Sequence, residues 1–285
     1  MTARRPAIAE RVERLLGTAV EAAAPVAGGD ICTATRVRLA DGSSALVKTR
    51  ADPPAGFFEA EARGLRWLGE VAPAARVLAV ADDCLVLRWI EPARPTPEAG
   101  AAFGHALAGL HSAGADRYGA DADGFIGALP MSNAAADTWP EFFAERRVLP
   151  YLAMASDRGH LDEHDRQAVE RVVRRITDLA GPPEPPARLH GDLWAGNVVW
   201  STDHQGVLVD PAAHGGHRET DLAMLALFGL PHLPRVLDAY DERTPLAAGW
   251  QERVPLHQLF PLLVHAVLFG GHYGRAAGET ARRLA

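Results

Sequence analysis

Three prolines within the stretch EPARPTPE, Glu91 to Glu98, divide this chain more sharply than any other feature of it. Proline fixes φ and has no N–H to donate, so neither a helix interior nor an inner strand runs through such a segment. The hydrophobic period changes across it. Before it, ICTATRVRL is joined to ALVKT by Asp41-Gly42-Ser43, an Asp-Gly turn between β-prone runs, which predicts a hairpin. Two more short strands are expected near Arg76 to Val80 and Cys84 to Trp89, separated by Ala81-Asp82-Asp83. One helix lies among them. In FFEAEARGLRWLGE, Phe58, Leu65 and Leu68 share a face, Glu59, Arg63, Arg66 and Glu70 take the opposite one, and Glu61 falls on the apolar side.

After the prolines the period becomes helical. Thr96 followed by Pro97 is an N-cap with proline at the first helical position. Phe103, Leu107 and Leu110 then share a face, and helices are expected over Trp139 to Leu152 and Asp165 to Leu179, the latter ended by Gly-Pro-Pro-Glu-Pro-Pro. VVW and GVLVD form a second hairpin-like pair. The apolar segment Leu256 to Gly271 contains His257, Gln258, Pro261 and His265 and is shorter than a membrane span, so a buried helix is expected there. At the N-terminus, Ile8, Val12, Leu15 and Leu16 mark an amphipathic helix with no signal-peptide run. These elements predict an α+β chain in two lobes: a β-rich lobe with its N-terminal helix over 1–90, and a mainly helical lobe over 91–285.

Composition narrows the partners. A net charge of −7 leaves no broad cationic surface, which argues against nucleic acid and membrane and for a small molecule or protein. The two cysteines, Cys32 and Cys84, fit a reduced compartment, so a cytoplasmic protein is expected. Lys48 is the only lysine; every other basic position is arginine. A compact ammonium and a guanidinium fork are not interchangeable, which points to a position that needs the smaller head.

The chemistry concentrates in LHGDLWAGNVVW, Leu189 to Trp200. Asn197 stands five residues after Asp192, the offset of the protein-kinase catalytic loop, and Asp210 ends the run GVLVD. Phosphoryl transfer needs a group that orients the acceptor hydroxyl and hard oxygens for magnesium; Asp192 suits the first role, Asn197 and Asp210 the second. Lys48, on a strand, followed by a helix presenting Glu61 on its buried side, suits the holding of nucleotide phosphates, because a carboxylate on an apolar face is costly unless paired. Gly28 and Gly29 could let backbone amides approach phosphate, although the loop lacks a G-x-G-x-x-G pattern. His214 and His217 are spaced like metal ligands, but the sequence shows no third partner. Cys32 lies beside the glycines and is expected to be an inert thiol.

HGDLWAGN followed by VDPAAHGGHRETDLAMLALFG resembles the fructosamine kinase (ketosamine 3-kinase) family, part of the aminoglycoside phosphotransferase and choline kinase group with a protein-kinase-like fold. LVKT, FFEAEARGLRWL, DGFIG with Asn133, TWPEFFAERR and the terminal HQLFPLLVHAVLFGGHYG fall in the family's order. The resemblance implies an ATP- and Mg2+-dependent kinase of free or protein-linked ketosamines, phosphorylating the 3-hydroxyl in a deglycation role. It implies Asp192 as catalytic base, Asn197 and Asp210 as magnesium ligands, Lys48 and Glu61 as the phosphate-holding pair, and Arg88-Trp89-Ile90 as the adenine hinge. Arg88 departs from relatives that often carry an acid there. Trp194, Asn133 and His217 are implied on the substrate side, and a monomer is expected. The alternatives are a kinase of another hydroxyl compound, such as an aminoglycoside or amino alcohol, and a nucleotide-binding pseudokinase.

Overall fold

The computed structural model describes residues 4–27 and 31–284. Helix α1 (Arg4–Leu16) leads into β1 (Val20–Val26), β2 (Thr33–Leu39), β3 (Ser44–Thr49), α2 (Phe57–Gly69), β4 (Val77–Ala81) and β5 (Cys84–Arg88). The strands form one antiparallel sheet in the order β1-β2-β3-β5-β4. The β2–β3 hairpin turns at Gly42, whose φ is +81°, with the Asp41 carboxylate accepting from the Ser43 N–H. β1 has no counterpart in the sequence expectation. VEAAAPV is weak in β propensity and becomes a strand by pairing with β2 over Val20–Val26.

Side-chain alternation then places the first functional group. On β3, Ala45 and Val47 join Val37, Val86 and the α1 residue Val12 on one face. Leu46 and Lys48 therefore point to the other face, where Leu85 and Leu87 pack against Phe57, Phe58 and Leu65 of α2. Period two on the strand and 3.6 on the helix bring Lys48 and Glu61 together.

Beyond β5 the expected N-cap is present: the Thr96 hydroxyl accepts from Ala99 N, starting α3 (Pro97–Ser112). A small hairpin follows, β6 (Gly124–Ile126) with β7 (Leu129–Met131). The helical run from Trp139 contains a π turn: α4 (Trp139–Phe142), the π segment Phe143–Val148, and α5 (Leu149–Asp157). Next come α6 (Glu163–Arg174), the short α7 (Ile176–Leu179), and the paired strands β8 (Ala187–Leu189) with β11 (His214–Gly216) and β9 (Val198–Trp200) with β10 (Gly206–Leu208). The chain closes with α8 (Glu219–Phe228), α9 (Leu233–Arg243), α10 (Trp250–Phe269) and α11 (Tyr273–Leu284). α10 begins earlier than its apolar segment suggested and accommodates Pro255 and Pro261. No helix among the described residues is long and apolar enough to cross a membrane.

One core lies among α4–α6, α10 and α11. Another joins α3, α8 and α9 to Leu68 and Ala72, so the two parts of the chain share apolar packing. The Ala75 and Leu208 N–H groups donate to Leu208 and Pro73 carbonyls across that junction. A cleft of about 930 Å³ opens beside it.

Candidate active site

The loop after β8 is shaped by a glycine. Gly191 has φ +81°, and a Cβ there would stand 2.2 Å from the Ala212 carbonyl oxygen, so no larger residue fits. Buried Asp221, on α8, accepts the His190 and Gly191 N–H groups at 2.8 and 2.9 Å. It also accepts from His111 Nε2, whose Nδ1 takes the Tyr240 hydroxyl. Burial opposes charge on Asp221, but the His111 hydrogen bond and the donated amides hold its carboxyl below the usual range. His190 is fully buried and donates from Nε2 to Val209 O at 2.8 Å, tying the loop to the segment that carries Asp210. Burial lowers its pKa and keeps it neutral.

Asp192 projects from this anchored loop into the cleft. Asn197 Nδ2 donates to the Asp192 backbone oxygen at 2.7 Å and to its carboxylate at 3.0 Å. Burial pushes the Asp192 carboxyl up to about 7, against the Asn197 bond that favours the anion; nearby Asp210 and Asp221 add to the rise. Asp210 has φ +53°, a left-handed conformation uncommon outside glycine. Lys48 Nζ lies 2.7 Å from both Glu61 oxygens and 2.8 Å from Asp210 Oδ1. Burial disfavours its charge, but the two carboxylates outweigh that and raise its pKa. All five polar residues expected to serve phosphoryl transfer thus meet in one cleft.

Their free atoms suit a cation. Asn197 directs its nitrogen to Asp192, and no donor among the described residues reaches its Oδ1. One Asp210 oxygen bonds Lys48, and the side chain is 47% exposed, so the other is open. Two hard oxygens on either side of one loop fit magnesium.

Arg88, Trp89 and Ile90 line the same cleft. Arg88 and Trp89 donate their N–H groups to Arg76 and Ser44 carbonyls, while the Ile90 N–H has no partner among the described residues. Trp89 is held from outside by the Arg36 guanidinium, 4.4 Å from its ring centroid, and by Glu91, which accepts from Nε1. Cys32 also lines the cleft, and burial raises its thiol pKa, consistent with an inert group. Gly28 and Gly29 lie outside the described residues.

At the other end of the cleft Trp194 is 40% exposed, its ring lying over Gly196 and edge-on to Phe228. His265, on α10, completes an aromatic wall with Phe228, Phe269 and Tyr273 and shares a small cavity with Asp192. Its Nδ1 is 2.8 Å from Pro261 O and must carry the proton, which leaves Nε2 as an acceptor. Neither His265 nor Asp221 was assigned a role from sequence; nothing local marks them, because each acts through a helix folding back on the loop.

Two expected substrate residues are placed differently. Asn133 lines the cleft, but its amide is bonded internally, Oδ1 accepting from Arg147 and Nδ2 donating to Ala122 O. His217 is not at the cleft. It is buried against Trp139 and His257, near Glu219, and burial lowers its pKa to about 3. These three polar residues could in principle hold a metal. However, Arg253 already takes both Glu219 oxygens, and His217 Nδ1 accepts the Glu219 N–H. The cluster is therefore a salt bridge flanked by neutral imidazoles, and His214 bonds Ala212 O apart from it.

A model of the fructosamine kinase family matches residues 5–285. A "probable ketoamine kinase" of Thermus thermophilus is 38% identical over 253 residues, 88% of this chain and 89% of that protein. A solved structure of a "putative fructosamine-3-kinase" from Thermobifida fusca is 53% identical with a TM-score of 0.92, covering 97% of each chain. A streptomycin–ATP–APH(2")-IIa ternary complex is similar at 14% identity and TM-score 0.63 over 97% of this chain and 95% of that one, a likeness of fold alone.

Proposed function

Because the chain belongs to the fructosamine kinase family and is a phosphotransferase with an alcohol acceptor, we propose that it uses ATP with Mg2+ to phosphorylate ketosamines on the third-carbon hydroxyl. What supports this most is the convergence of Asp192, Asn197, Asp210 and the Lys48–Glu61 pair on a cleft whose far end is aromatic. Asp192, oriented by Asn197, accepts the proton of the attacking hydroxyl. Phosphoryl transfer asks the protein mainly for positioning and charge compensation. Lys48, fixed by Glu61, holds the phosphates, and the free Ile90 N–H faces the adenine. Asn197 Oδ1 and the open Asp210 oxygen would hold magnesium, which compensates phosphate charge when bound. Trp194 lies against the sugar's C–H face, and His265 Nε2 accepts a hydrogen bond from the sugar or its amine. In this reading residues 1–90 are the nucleotide lobe and 91–285 the acceptor lobe of a monomer that acts in the cytoplasm on free or protein-linked adducts.

The product's chemistry supports a deglycation role. Transfer of a C1 proton to the C2 oxygen gives a 1,2-enaminol; its nitrogen lone pair then expels phosphate from C3, the C2–C3 enol left behind tautomerises to the C2 ketone with a C3 methylene, and water hydrolyses the imine at C1. Unmodified amine, phosphate and a 3-deoxy-2-oxoaldehyde are released. MgATP with fructosamine, ribulosamine, erythrulosamine, choline and an aminoglycoside in parallel tests the reading. Phosphate should enter only the ketosamines and then leave slowly with free amine. Phosphorylation of choline or the aminoglycoside alone would overturn the substrate and leave the kinase intact.

A further inference from the structure

The β6–β7 hairpin stands between the two lobes, and nothing in the phosphoryl-transfer machinery uses it. Its base is fixed in the helical lobe. Buried Arg147, leaving the π turn, donates to Ser132 O and Asn133 Oδ1 at 2.6 Å, and the Tyr151 hydroxyl donates to Pro130 O. The Asp123 carboxylate accepts from Asn133 N. Its upper side meets α2: the Phe125 ring lies 5.1 Å from that of Phe57, and Arg63 donates to Asp123 O. At its tip Gly127 has φ +56° with Leu268 of α10 and Ile31 close to where a Cβ would be. Glu61 is one helical turn from Phe57, so whatever fixes that turn fixes the carboxylate against Lys48.

We infer that Phe125 is a positioning residue, clamping α2 from the opposite lobe so that the Lys48–Glu61 pair stays formed before nucleotide arrives. This rests on that pair's proposed role with phosphate. Lone helices on small sheets shift readily unless something packs on their outer face. Here the packing comes from the chain itself, and no phosphorylated segment or partner is needed to bring Glu61 in.

The sole lysine provides a readout. Free enzyme is pulsed with an amine-acylating reagent, the Lys48 peptide is followed by mass spectrometry, and MgATP affinity is measured separately. In wild type Lys48 should acylate slowly, because it is buried and held protonated between carboxylates. Phe125→Ala should speed Lys48 acylation about tenfold and weaken MgATP severalfold, the order of loss expected for an aromatic contact. Phe125→Leu should restore most of both. Phe125 also lines the cleft and could touch nucleotide directly, but such a contact would leave labelling of the free enzyme unchanged. Should Phe125→Ala not fold, Arg63→Ala removes a surface contact of the same clamp and should raise labelling two- to threefold. Wild-type labelling in folded Phe125→Ala, or in Phe125→Leu and Arg63→Ala together, overturns the clamp. Glu61→Ala gives the upper limit of the rate; if it does not accelerate labelling, the Lys48–Glu61 reading has failed instead.

Discussion

Asp192 gains its setting from neighbours that differ in how visible they are in the sequence. Asn197 and Asp210 stand at short, fixed offsets on the same loop-and-hairpin unit, and Lys48 with Glu61 occupies one strand and the next helix, so spacing, read together with the kinase pattern, predicts that they meet. Asp221 and His265 are brought in by α8 and α10, whose approach depends on packing of the whole helical lobe, and no local pattern encodes it. His217 shows the reverse error. A histidine in a motif-bearing string resembles a ligand-side residue until its surroundings prove to be Trp139 and another buried imidazole. Replacing Asp192 with asparagine should keep the fold and MgATP affinity and lower turnover by roughly 10²–10⁴, the usual worth of a positioned base. Near wild-type turnover in the folded variant would remove Asp192 from the proton's path.

Among the elements, those with strong periodicity were the legible ones. α2 and α3 carry an apolar face or an N-cap, β2–β3 alternates about an Asp-Gly turn, and β4–β5 are short apolar runs about a polar turn. β1, β8 and the β6–β7 hairpin do not, because alanine, glycine and proline in short runs form strands only when a neighbour offers its edge. Close helix packing is similarly silent in sequence. Gly104 of α3 faces α9 so tightly that a Cβ would sit 2.2 Å from Val236 O. Gly104→Ala gains about 0.5–1 kcal/mol in helix propensity. It must also push a backbone carbonyl aside, an overpacking cost of about 1–3 kcal/mol, and the clash wins. A lower urea midpoint at unchanged slope is expected. A midpoint above wild type would show that α9 yields freely.

Taken whole, the molecule buries several histidines in neutral form, which sets its response to acid. Burial lowers the pKa of His214 and of His217 to about 3, from an ordinary 6.5. Between those values the unfolded chain binds the extra protons, so stability is full above about pH 6.5 and is lost as pH falls, by about 1.4 kcal/mol per pH unit for each site. Asp192 acts oppositely, since its raised carboxyl favours the folded state as pH drops below about 7. Glu61, raised to about 7 by burial, acts in the same sense as Asp192, but His190 and His257 are shifted downward with His214 and His217, and four lowered imidazoles outweigh two raised carboxylates. Thermal midpoints should therefore fall steadily from pH 7.5 to 5; a flat profile would mean that the histidines protonate without unfolding.

The solitary lysine has one more consequence, for the protein's own chemical wear. Reducing sugars condense with unprotonated amines, and lysine side chains are the usual victims. This surface offers no lysine, and the single lysine ammonium is buried, bonded to two carboxylates and kept charged. Under the function proposed above, the chain is thereby shielded at Lys48 from the class of adduct it acts on, at the position proposed to hold the phosphates. Incubated for days with ribose, the folded chain should gain no adduct at Lys48 by peptide mass spectrometry, whereas the unfolded chain should acquire it.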